Sequence, residues 1–159
     1  MSEETVNEGA TAPDFDLEAT RDGRVQLAAL RGQPVVLYFY PRDDTPGCTQ
    51  EGQEFRDLYP QFQKAGVEVL GVSRDSLASH EKFAAKHEFP FPLLADPDET
   101  VCNAYGVLKE KNMYGKKVMG IERSTFVIDP EGNIRHAHRK VKVDGHAEQI
   151  LAEAKALAR

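Results

Sequence analysis

An apolar run, Pro34-Val35-Val36-Leu37-Tyr38-Phe39, leads through Tyr40-Pro41-Arg42-Asp43-Asp44-Thr45-Pro46-Gly47-Cys48-Thr49-Gln50-Glu51 to Phe55, Leu58, Tyr59 and Phe62. The run reads as a buried strand, and the i, i+3, i+4, i+7 spacing that follows reads as the core face of a helix. Any fold open to this chain must therefore turn a buried strand directly into a packed helix. Thr45 suits the N-cap and Pro46 the first helical position, which places Cys48 in the first turn.

First-turn amides have no carbonyl partners within the helix and present a partial positive charge. A thiolate there is favoured over a thiol, and such thiols fall from about 8.5 towards ~3.5–7.5. Cys48, Gly52, Phe55 and Tyr59 share one helical face, so the sulfur is expected to point into a pocket. A buried free cysteine is also often a small apolar plug, and position alone leaves reactive and inert readings open.

The spacing Pro41-x-x-x-Thr45-x-x-Cys48 resembles the active-site motif of peroxiredoxins, thiol-dependent peroxidases built on a thioredoxin-like fold. Tyr38-Phe39-Tyr40-Pro41 with Thr45-Pro46-Gly47-Cys48-Thr49 and Glu51 is similar to the bacterioferritin-comigratory-protein or Q-type branch. So are Val69-Leu70-Gly71-Val72-Ser73-Arg74-Asp75 and Gly120-Ile121-Glu122-Arg123-Ser124-Thr125-Phe126, so the likeness spans nearly the whole chain. It implies that Cys48 attacks the peroxide, that Thr45 and Arg123 help bind it, and that Pro41 shields the site. It also implies regeneration by thioredoxin, glutaredoxin or a small thiol, with no metal and no organic cofactor.

At 159 residues the chain is expected to form one domain, with residues 1–10 as a mobile lead-in. Ala12–Leu17 and Arg24–Leu27 flank the turn signal Asp22-Gly23 and suggest an N-terminal hairpin. Pro60 predicts a kink or break near Arg56–Tyr59 in the helix after Cys48. A strand at Val67–Ser73, a helix capped by Asp75 or Ser76, a short strand at Leu93–Ala95 and a short helix capped at Asp96 follow. Glu110 to Gly120 reads as a loop or irregular hairpin. Ser124–Ile128 and Asn133–Val143 read as strands around the turn Asp129-Pro130-Glu131-Gly132, and a helix from about Asp144 closes the chain. Strands alternating with helices leave a flavodoxin-like sheet open on periodicity alone. The resemblance selects an α/β thioredoxin-like fold with an N-terminal β-hairpin extension and a central mixed sheet flanked by helices.

Two cysteines 54 positions apart make no disulfide framework, and an acidic start with no long apolar run leads us to expect a cytoplasmic protein off the membrane. The net charge of −6 argues against general nucleic-acid binding. Residues 107–143 carry nine Lys or Arg against four Asp or Glu, a net +5 that leaves −11 elsewhere. That bias reads first as a solvated face. A monomer is expected.

Among other candidates, Arg123 stands at the start of an interior strand, where a charge needs a partner, and its planar fork suits a thiolate and a peroxide oxygen together. Glu51 suits the helix dipole and carries no catalytic weight on that reading. His136 and His138 share one side of a strand and His80 and His87 lie two helical turns apart, but neither pair shows a third ligand at metal-site spacing. No Cys-x-x-Cys and no phosphate loop is present. The branch often carries a resolving cysteine, which here is Gln53 at one usual position and Ala84-Ala85 at the other. Cys102, beside Val101 and one turn before Tyr105 in a short helix, reads as a buried helix residue before it reads as a resolving thiol. A redox-sensing module with one oxidisable cysteine and a holdase are the rival functions. The complete Pro41, Thr45, Cys48 and Arg123 set disfavours the first, and the lack of an exposed apolar stretch the second.

Overall fold

The computed structural model describes residues 6–21 and 23–158. Strand β3 (Val35–Phe39) is buried at every position, as its unbroken apolar run requires. It pairs in parallel with β4 (Glu68–Ser73), which pairs in parallel with β5 (Leu93–Ala95). On its other side β3 pairs antiparallel with β8 (Ser124–Ile128), and β8 with β9 (Ile134–Arg139). The hairpin β1 (Asp16–Ala19) and β2 (Gly23–Gln26) joins β5 through the pair Ala19 and Leu94. Among the described residues the sheet thus runs β2-β1-β5-β4-β3-β8-β9 and is mixed.

Alternation along β3 divides the core in two. Val36, Tyr38 and Tyr40 join one apolar cluster with Cys48, Phe55 and Phe62 of α1 (Pro46–Lys64) and Ile150 and Leu151 of α4 (His146–Leu157). Phe83 of α2 (Leu77–His87) packs into the same cluster. Val35, Leu37 and Phe39 face the other way, onto Val101 and Cys102 of α3 (Thr100–Ala104) and onto Val6, Ala12 and Phe15 of the N-terminal segment. The two cysteines therefore lie on opposite faces of the sheet.

Several expectations need correction. Of the expected lead-in, residues 1–5 lie outside the described residues; in the rest Val6 is buried, and the Gly9 amide donates to Ile134 O at 2.7 Å. The first strand begins at Asp16, later than expected, and Asp22 of the turn lies outside the described residues. α1 is not broken: Pro60 lies within one continuous helix, on its exposed side, where water can satisfy the carbonyl it leaves without a donor. Residues 110–120 form a regular hairpin, β6 (Leu108–Met113) and β7 (Lys116–Ile121). Its turn residues Tyr114 and Gly115 both take positive φ, 54° and 77°, as a tight hairpin turn demands. α3 starts at Thr100 rather than at Asp96-Pro97. Asp96 still serves it, accepting from the amides of Val101 and Cys102 at 3.3 and 2.8 Å.

Candidate active site

The loop between β3 and α1 is fixed from below. Asp43 is buried, with its carboxylate accepting from the Tyr40 hydroxyl at 2.6 Å and the Ser79 hydroxyl at 2.8 Å and meeting His80 Nδ1 at 2.7 Å. His80 Nε2 donates to Leu94 O at 2.9 Å, and Asp75 accepts from the Asp43 amide at 2.8 Å. Both imidazole nitrogens thus face acceptors, and the ring is pinned between the loop and β5. Asp75 joins Asp43 and His80 closely enough for three-point metal ligation, but these groups are already committed to holding the loop on β5 and α2. The pairing of Asp43 with His80 is not readable from the sequence, where 37 positions separate them and local spacing sets His80 only beside His87.

Asp44 then takes φ 59°, a left-handed conformation that costs a non-glycine residue on the order of 1 kcal/mol, and its carboxylate meets Lys86 at 3.1 Å. Thr45 follows with extended backbone at the N-cap, and Pro46 opens the helix as expected. The Thr45 hydroxyl makes no cap bond and donates to Arg42 O at 2.9 Å, so its lone pairs are not spent on the helix. The first bond within the helix runs from the Thr49 amide to Thr45 O at 2.8 Å, which leaves the amides of Gly47 and Cys48 ahead of the ladder.

Cys48 is 2% exposed, on the same helical face as Gly52, Phe55 and Tyr59, all buried. Arg123, immediately before β8, donates from Nη2 to the sulfur at 3.4 Å and from Nη1 to Glu51 Oε1 at 2.5 Å. The guanidinium passes so close to the helix that a Cβ on Gly47 would lie 3.1 Å from Nη2. Glycine at 47 thus admits the arginine rather than any special backbone angle. Gly52 is used similarly: a Cβ there would meet the Phe89 ring at 2.4 Å.

Glu51 was assigned no chemistry from the sequence, yet it is 1% exposed and is the anchor of Arg123. Burial pushes its carboxyl up to about 7, against the pull of Arg123. Its spacing of three from Cys48, on one helical face with it, was the signal available. Lys111 of β6 is a second addition. Its ammonium donates to Ile121 O at 2.7 Å, and burial together with Arg123 lowers its pKa.

The structure brings Cys48 and Arg123 into contact and puts Thr45 one turn before the sulfur. Pro41 is half-buried at the end of β3. Cys102 is not part of this group. It is fully buried across the sheet, and burial with the Asp96 carboxylate pushes its thiol far above the ordinary range. The whole sheet lies between the two cysteines, whereas a disulfide needs Cα atoms within about 4.4–6.8 Å. Ala84 lies in α2, partly buried against the Cys48 side of the core.

The chain matches the AhpC/TSA family over residues 9–137. It is 56% identical over 150 residues to peroxiredoxin Bcp of Xanthomonas campestris, covering 93% of this chain and 94% of that protein. With peroxiredoxin Bcp of Bacillus subtilis it is 44% identical over 151 residues, 95% of this chain and 96% of the other. Among solved structures it is similar to the X. campestris bacterioferritin comigratory protein, studied in trapped intermediate and ligand complexes for its alkyl peroxide reduction activity. That likeness has a TM-score of 0.86 at 54% identity and covers 91% of this chain and 92% of the other.

Proposed function

The chain belongs to the AhpC/TSA family, in its Bcp or peroxiredoxin Q branch, and is a peroxidase with a thioredoxin-like fold; from that premise we propose that Cys48 is the peroxide-attacking thiolate. The observation that carries this reading is the 3.4 Å contact from Arg123 Nη2 to the Cys48 sulfur, at the open amides of a helix N-terminus. A thiolate is the nucleophilic form, and both the guanidinium and the amides favour it.

In the proposed step the sulfur attacks the oxygen of the peroxide that bears hydrogen. An S–O bond forms, the O–O bond breaks, and the other oxygen leaves as hydroxide or alkoxide and takes up a proton. Cys48 is left as a sulfenic acid. Arg123 holds the sulfur with one nitrogen and Glu51 with the other, so its charge is fixed before the leaving oxygen develops its own. Such preorganised charge is worth most where water is excluded. The Thr45 hydroxyl donates to Arg42 O and accepts from the peroxide hydrogen, while half-buried Pro41 shields the sulfur.

The position of Cys102 favours resolution by an external thiol. That thiol attacks the sulfenic sulfur and expels water, and a second thiol releases Cys48. Thioredoxin, glutaredoxin and small thiols are the reductant classes proposed, hydrogen peroxide and organic hydroperoxides the substrates, and a cytoplasmic monomer the working form. Mass spectrometry after one equivalent of peroxide is the test. The expected product gains one oxygen at Cys48. An intramolecular Cys48–Cys102 disulfide overturns external resolution, and oxidation that stops after one event per chain with reductant supplied overturns turnover altogether.

A further inference from the structure

The sequence offers His136 and His138 as two imidazoles on one side of a strand with no third ligand nearby. The fold supplies one. Both residues lie on β9 opposite Val127 and Thr125, so their rings project on the face that α4 covers. From α4, Glu153 presents one carboxylate oxygen to both. His138 Nε2 stands 2.8 Å from Glu153 Oε1, and His136 Nδ1 stands 3.7 Å from the same atom. The three donor atoms all lie within 4.8 Å of one another.

We propose that His136, His138 and Glu153 form a binding site for a zinc-class divalent cation, apart from the cysteine chemistry and independent of the peroxidase reading. An ordinary surface ion pair uses one imidazole. Here two rings, stacked at 11° between their planes, aim at a single oxygen. Donor atoms on a tetrahedral zinc ion, at bond lengths of 2.0–2.1 Å, stand roughly 3.3 Å apart, within the range these groups already span. Two imidazoles and a carboxylate are a ligand set that zinc accepts, with the fourth position left to water.

The surroundings agree. Exposure is 37%, 25% and 18% for the side chains of His136, His138 and Glu153, so the donors are held firmly while one side stays open to solvent. Gln149, one turn earlier on α4, donates to the other carboxylate oxygen at 3.4 Å and orients it. His146 packs edge-on to His138 but is engaged with the Thr125 hydroxyl at 2.8 Å, so it borders the site without joining it. Cation binding takes the place of the hydrogen bond between His138 and Glu153. The result ties β9, the edge strand of the sheet, to the closing helix α4.

Untagged protein freed of metal by a chelator should take up one Co²⁺ per chain, with visible bands of tetrahedral coordination and no sulfur-to-metal band. His138→Ala and Glu153→Gln should each weaken uptake at least tenfold. Zn²⁺ should raise the unfolding temperature of the parent but not of His138→Ala. His136→Ala, at the exposed rim, serves as the variant least able to disturb folding. Absence of uptake at millimolar Co²⁺ overturns the site, as does uptake unchanged in all three variants. So does uptake abolished by Cys48→Ser, which would put the cation on the thiol.

Discussion

Cys48 and Cys102 are almost equally hidden, at 2% and 0% exposure, and each sits in a helix packed on the same sheet. Their neighbours make them opposites. Cys48 has a guanidinium at 3.4 Å and open amides around it, whereas Cys102 has the Asp96 carboxylate and an apolar cluster. Burial of a thiol therefore says little by itself. What differs is the sign of the nearest charge: a guanidinium favours a thiolate, a carboxylate opposes it.

The largest expected effect separates the two directly. Cys48→Ser should lose peroxide consumption to background while retaining the fold, since a hydroxyl is a far weaker nucleophile than a thiolate. Cys102→Ser should keep its kcat/KM with an external thiol and lose at most about 1–3 kcal/mol of stability in urea unfolding. Equal loss of activity in both would erase the contrast.

Arg123→Ala should come next. Removing the charge fixed beside the sulfur should cost about 100–1,000-fold in kcat/KM. Alkylation of Cys48 at neutral pH should slow with it. Superposable alkylation profiles for the two proteins would reduce Arg123 to a packing role.

The third test reads Glu51 through pH. Its carboxyl is raised to about 7 from an ordinary 4.5, so the folded state holds a proton that the unfolded state has released. Stability from this group is thus highest in acid and falls as pH rises from 4.5 to 7. The difference in unfolding free energy between parent and Glu51→Gln should shrink by about 1.4 kcal/mol per pH unit across that window. A difference that stays flat would mean the carboxyl is ionised throughout.

The smallest effect concerns the inert thiol. Asp96→Asn removes the second cause of Cys102's raised pKa but not the first, which is burial. Alkylation of Cys102 should therefore rise only slightly, and stability should drop by about 1 kcal/mol from the weakened link to α3. Measuring Cys102 labelling in a Cys48→Ser background checks this.

The sequence was most legible where one element decides the matter. The strand-to-helix passage, the cap at Thr45 and the shared face of Cys48, Gly52, Phe55 and Tyr59 all follow from local spacing. Arg123 was legible only as a charge in want of a partner. Glu51, Asp43 and His80 were not, because their meaning lies in contacts across 72 and 37 positions. Glu153 hid for the same reason, since no spacing rule on a strand reports what a helix later lays over it. Pro60 misled in part: of the kink or break that a local rule predicts, the break is absent, since the helix runs on with Pro60 on its exposed side.

The distance along the chain between Cys48 and Arg123, 75 residues, also sets a clock. At ~5–20 residues per second of synthesis, Cys48 is joined to the chain about 4–15 s before Arg123. Only when β8 docks beside β3 does the guanidinium reach the sulfur. A nascent chain in that interval carries Cys48 without the guanidinium that stands 3.4 Å from it in the finished fold. Completion of the C-terminal half thereby supplies the charge for a sulfur that the N-terminal half already carries, and a product cut short before Arg123 lacks it.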